Sequence, residues 1–190
     1  MTREFLNNLT QRYHVYVDGY RQADGSLSQL LQLKVDHTLS VIADARRIMD
    51  GERWGGDSRM CGEACALLHD VGRYSQVSEY GTFEDAKSID HAVRGVEVIE
   101  SAGWLAELDA PIRKRILTAV ASHNKKEVAP ALDTVTAELC HLVRDADKLD
   151  IFRVLEQAVG DGSLERNPEI AWGLQVKGAP SPNVAEAVVK

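Results

Sequence analysis

An imidazole and a carboxylate stand side by side at the end of an oily helix, in Ala66-Leu67-Leu68-His69-Asp70-Val71-Gly72-Arg73, and this pair restricts what the chain can fold into. Burying either group without a partner is costly, because each gives up water and gains nothing. A divalent metal is the partner that best removes the cost, since neutral imidazole nitrogen and ionised carboxylate are both ready ligands. His37, His91 and His123 each stand on or beside an apolar helical face, and Asp145, Asp147 and Asp150 follow on a late, apolar segment. Any one of these histidines alone reads as a satisfied core residue. Four together, with buried acids, predict a metal site of several histidines and aspartates. His14 and His141 lack such surroundings and receive no role.

The periodicity predicts helix almost throughout, so the fold class is all-α. A first amphipathic stretch runs from about Thr2 to Tyr20, and a second helix from about Ser28 to Asp50, with Leu31, Val35, Leu39, Ile42 and Met49 on its apolar face. Gly55-Gly56-Asp57-Ser58 reads as a loop in which Asp57 or Ser58 caps the helix carrying the doublet. Further helices are expected from near Ser88 to Gly103 and from Pro111, which suits a first turn, to about His123. The stretch from about Thr134 to Val159 is apolar nearly all round and predicts a central helix. Gly72 to Ser88 reads as a long polar connection, the kind that serves as a functional lid. The tail from about 160 to 190 collects most of the prolines, and Ser181-Pro182 looks like a helix start.

At 190 residues, with 44% hydrophobic and 27% charged, the chain reads as one soluble domain over 1–190 with its motif-bearing core at about 28–155. No run of eighteen apolar residues and no hydrophobic signal core are present, so no membrane partner and a cytoplasmic location are expected. Cys61, Cys65 and Cys140 read as small buried hydrophobes rather than disulfides. A net charge of −7 argues against a nucleic-acid polymer as the main partner, though not against a small phosphorylated substrate, because bound dications reverse the sign locally. A homo-oligomer remains open.

His37, then His69-Asp70, then Asp147 in Ala146-Asp147-Lys148-Leu149 resembles the HD superfamily of metal-dependent phosphohydrolases, over about residues 28–155. The doublet segment with Gly72-Arg73 behind it is similar as well. His91 and His123 fall where the family's two-metal branches carry two more histidines. Periodicity alone does not choose among Asp145, Asp147 and Asp150; the resemblance selects Asp147. It implies an HD-type helical bundle with the metal site in its core. There His37, His69, Asp70 and Asp147 would hold one ion, and Asp70 would bridge to a second held by His91 and His123. Two divalent ions are implied, with iron, manganese, nickel and zinc all suited to such donors. Arg73 would grip a phosphoryl group, and Lys148 is a further candidate for substrate contact. The implied reaction is hydrolysis of a small phosphomonoester or phosphodiester, a nucleotide among the candidates, by metal-activated hydroxide, with Asp70 and Arg73 in catalytic roles. Two rivals share these residues: a di-iron oxygenase, and a nucleotide-sensing module without turnover.

Overall fold

The structure is a computed structural model that describes residues 1–162. Seven α-helices follow in order: α1 (Arg3–Asp18), α2 (Gln29–Gly51), α3 (Gly56–Leu68), α4 (Gly72–Tyr80), α5 (His91–Ser101), α6 (Ala110–Ser122) and α7 (Thr134–Gly160). A single 3-10 turn, Asp85–Lys87, lies between α4 and α5. Among the described residues there is no strand, so the all-α expectation holds. Met1–Arg153 forms one compact unit, and beyond it the structure describes the last turns of α7. The expected helix start at Ser181-Pro182 lies outside the described residues.

Local chemistry sets most boundaries. Thr2 caps α1 by accepting from the Phe5 amide at 3.1 Å, and Ser28 caps α2 by accepting from Leu31. Asp90 caps α5 through the amides of Ala92 and Val93. α3 differs from expectation. Its cap is Gly55, with no side-chain bond, and Asp57 instead accepts from the chain's own N-terminal ammonium.

α3 is the centre of the bundle. Every residue from Cys61 to Leu68 is buried, and α1, α2 and α6 pack around it. Gly62 lets the helices approach closely there: a Cβ would lie 2.6 Å from the Met49 sulfur and 2.7 Å from Leu142, so those side chains would have to shift. Glu63, also buried, pairs with Arg46 at 2.6 Å and Arg3 at 3.3 Å and fastens α2 and α1 to α3. All three cysteines are buried and free.

Two expectations need correction. Gly72–Ser88 is not an irregular lid: its first half is α4, which buries Tyr74 and Val77 one turn apart and stops at the left-handed Gly81. α7 is not apolar-buried all round either. Leu139, Leu142, Val143 and Ala146 are buried, whereas Leu149 and Phe152 are 49% and 66% exposed. The stripe that does face inward carries Asp147 and Asp150, while Asp145 is exposed.

A candidate binuclear metal centre

The doublet occupies the corner between α3 and α4. His69 ends the first helix, Val71 starts the second, and Asp70 takes the Arg73 amide at 2.9 Å. α5 then runs very close to α4. A Cβ on Gly72 would lie 2.2 Å from the His91 carbonyl oxygen and 2.6 Å from the Gly95 nitrogen. That approach brings His91, the first residue of α5, beside the corner. His37 arrives from α2, His123 from the end of α6 and Asp147 from α7.

The side chains converge in two groups that share Asp70. His37 Nε2 and His69 Nε2 lie 3.3 Å apart, each 3.6 Å from Asp70 Oδ2. His91 Nε2 and His123 Nε2 lie 3.0 Å apart, each 3.4 Å from Asp70 Oδ1. Asp147 Oδ1 joins the first group, 3.0 Å from His37 Nε2 and 3.9 Å from His69 Nε2. One oxygen of Asp70 thus faces each histidine pair, the arrangement a bridging carboxylate needs.

Each ring is held from behind through Nδ1. The His69 and His123 Nδ1–H groups donate to the carbonyls of Ala66 (2.8 Å) and Val120 (2.7 Å). His37 Nδ1 bonds Asp150 at 2.6 Å, and His91 Nδ1 bonds Asp85 at 2.7 Å. A carbonyl can only accept, so Nδ1 carries a proton on both His69 and His123, and in the neutral tautomer Nε2 is the nitrogen that presents a lone pair. In the neutral, Nδ1-protonated form of the rings, the facing Nε2 atoms of each pair, 3.3 and 3.0 Å apart, have no hydrogen between them to draw them together. A cation does so. The donor set therefore fits divalent ions, with the outer hydrogen bonds that orient such ligands already made.

The electrostatics agree. Burial, the largest effect, pulls the His69 and His91 pKa values down to about 4, so both rings are neutral donors at physiological pH. Burial also pushes His37 down, as does Lys34, but hydrogen bonds with Asp147 and Asp150 and the charge of Asp70 outweigh them and leave it raised. For Asp70, burial favours the acid, yet Lys34, His69, His123 and Arg73 together hold it well below the usual carboxylate range. Asp147 is likewise brought down to about 2, against its burial, chiefly by His37.

Of the residues expected at the site, His37, His69, Asp70, His91, His123 and Asp147 come together. Arg73 lies at its edge, 8% exposed, with Nε 3.6 Å from Asp70 Oδ1 and without a hydrogen-bond partner. Its Nη1 is already bound to the Phe83 carbonyl, Gln76 and Asp85. Lys148 does not join: it is exposed on α7. Asp145 is exposed too. Two participants, Lys34 and Asp85, escaped the sequence reading, and a third, Asp150, was named there without a role. Lys34, buried, bonds Asp70 Oδ2 at 2.7 Å and lies 5.2 Å from the Phe83 ring centroid; its position one turn before His37 was the available signal. Asp150, one turn after Asp147, was seen but not distinguished. Asp85 carried no signal, because its approach to His91 depends on a turn.

The described helices include none long and apolar enough to cross a membrane. Neither the curated proteins nor the solved structures yield a match. The model of the HD domain family does match, over residues 35–151, a span that begins just before His37 and ends just after Asp150. That match covers well over half of the chain, which therefore belongs to the HD domain family.

Proposed function

We propose that the chain is a metal-dependent phosphohydrolase that cleaves a small phosphomonoester or phosphodiester, with nucleotides among the substrates to test. The observation that carries this reading is Asp70, which offers one oxygen to each of two histidine pairs. His37, His69, Asp70 and Asp147 would hold one ion, and Asp70, His91 and His123 the other. Two such ions supply an acidified water near neutral pH and positive charge for phosphoryl oxygens.

The chain's own groups do the rest. Asp70 fixes the spacing of the two halves, and its charge is balanced by Lys34 and Arg73. Arg73 Nε makes no hydrogen bond, although it faces Asp70 Oδ1 at 3.6 Å, and such a donor at the site's edge suits a phosphoryl oxygen as charge gathers there. Its remaining bonds to Phe83, Gln76 and Asp85 fix the guanidinium in advance. The acidic balance of the whole chain favours a small anion met at the metal pair over a nucleic-acid polymer.

The test is a panel of phosphate esters assayed with metal-loaded protein and with Arg73→Ala. Losing one charge-assisted contact of this kind costs about 2–4 kcal/mol, or roughly 30- to 1,000-fold in rate. The rates are compared at saturating metal, because Arg73 also bonds Asp85 behind His91. Phosphate release that requires dioxygen, or oxygen consumed in step with substrate, would instead establish the oxygenase.

A further inference from the structure

We propose that Asp85 is a positioning residue that governs the ion held by His91 and His123 and leaves the ion held by His37 and His69 untouched. The assignment rests on the reading that each histidine pair holds an ion. Its basis is that each half has its own carboxylate behind one histidine, and the one behind His91 is placed quite differently from the one behind His37.

Asp85 is a hub for one half alone. Its carboxylate receives His91 Nδ1 at 2.7 and 2.9 Å, Arg73 Nη1 at 2.9 Å and Gln76 Nε2 at 2.9 Å. It also receives Asn124 Nδ2 at 3.3 Å, from the residue that follows His123. His91 thus depends on it directly, whereas His123 donates to the Val120 carbonyl and its neighbour Asn124 bonds Asp90 more closely, at 2.9 Å. The other pair has separate supports. His37 leans on Asp150, which Arg153 bonds at 2.5 Å while also reaching Asp44 at 2.7 Å, and His69 leans on a backbone carbonyl.

The supports also differ in rigidity. Asp150 is buried to 3% exposure on a long helix, whereas Asp85 is 33% exposed on a three-residue turn. Gln76, fully buried, seats that turn by donating to Asp85, Ser88 and the Ile89 carbonyl. An anion behind an imidazole fixes its ring and strengthens its far nitrogen as a ligand, and losing such a partner costs about 10- to 100-fold in metal affinity. That loss should fall on one ion.

The experiment titrates full-length, metal-free protein with Co(II), followed by its visible absorption and by equilibrium dialysis. The parent should take up two ions. Asp85→Asn keeps the side chain's size and its acceptor for Arg73 and Gln76, and should weaken one ion by about 10- to 100-fold. Two backgrounds identify which. In His37→Ala, where the His91/His123 half remains, adding Asp85→Asn should weaken the remaining ion; in His91→Ala, where the His37/His69 half remains, it should change nothing. Equal weakening in both backgrounds, or in neither, with two ions in the parent, overturns the assignment while leaving the two-ion reading intact. A single ion in the parent overturns both.

Discussion

Asp70 bears the largest demand placed on any one side chain in this protein. It is 3% exposed, ionised, and shared between four imidazoles, a lysine and an arginine. Asp70→Ala should therefore abolish binding of both ions, where His91→Ala or His123→Ala should cost only one; elemental analysis of the purified variants separates these outcomes. The aspartates of α7 should divide equally cleanly. Asp147→Asn removes an oxygen 3.0 Å from His37 Nε2 and should eliminate turnover and weaken the first ion. Asp145→Asn changes an exposed residue and should do neither. Asp150→Asn should fall between them, with metal affinity down about 10- to 100-fold, because it supports His37 without facing the ion. Equal losses at Asp145 and Asp147 would show that the register along α7 is wrong.

At the scale of elements, the contact of α4 with α5 decides whether the second half of the site exists. Gly72→Ala drives a Cβ into two backbone atoms of α5, which cannot turn aside as a side chain can. The helices must separate, and His91 heads the one that moves. Overpacking of this kind costs about 1–3 kcal/mol. The variant should melt lower and bind one ion, while Gly51→Ala, with open space around its Cβ, should resemble the parent in both measurements. This same region shows where the sequence became illegible. α2 was readable as a helix, although its inward face carries Lys34, His37, Thr38 and Asp44 beside Leu31, Val41, Ala45 and Met49, and Leu39, expected on that face, is 54% exposed. α4 buries Arg73, Ser75 and Gln76 as well as Tyr74 and Val77, so its inward face looks polar and reads as a loop. The six expected ligands were legible as residue types in order. Asp85 was not, since a hydrogen bond across a turn leaves no periodic trace. Arg73 was legible as a cation near the site, but not as the guanidinium that ties that turn down.

For the whole molecule, stability and metal occupancy should be one property read two ways. Without metal, the folded chain keeps His69 and His91 neutral down to about pH 4, whereas in the unfolded chain they protonate near the usual imidazole value of about 6.5. Between those values the unfolded state binds more protons, so stability falls as pH falls through that window. His37 acts in the opposite sense: its raised pKa gives stability at low pH that is lost as pH rises through it. Two rings oppose one, so the metal-free protein should melt lower at pH 5 than at pH 7. Asp70 and Asp147, both depressed, add stability that is complete above the ordinary carboxylate range and is lost only in stronger acid. Metal sharpens the effect, because its ligands must stay deprotonated and the native state alone presents them together. An ion held at a hundredfold excess over its Kd adds about 2.7 kcal/mol. For a domain of this size each kcal/mol raises Tm by about 2–4 °C. Two ions should therefore raise Tm by roughly 10–20 °C at pH 7.5, and that increment should shrink as pH falls, because protons displace metal first at His37, whose pKa is raised, and at His69 and His91 only near pH 4. Calorimetry of chelator-treated and reloaded protein as pH is lowered from about 7.5 to about 4 is the check. An increment that stays constant with pH would mean that the bound metal is not held by these histidines.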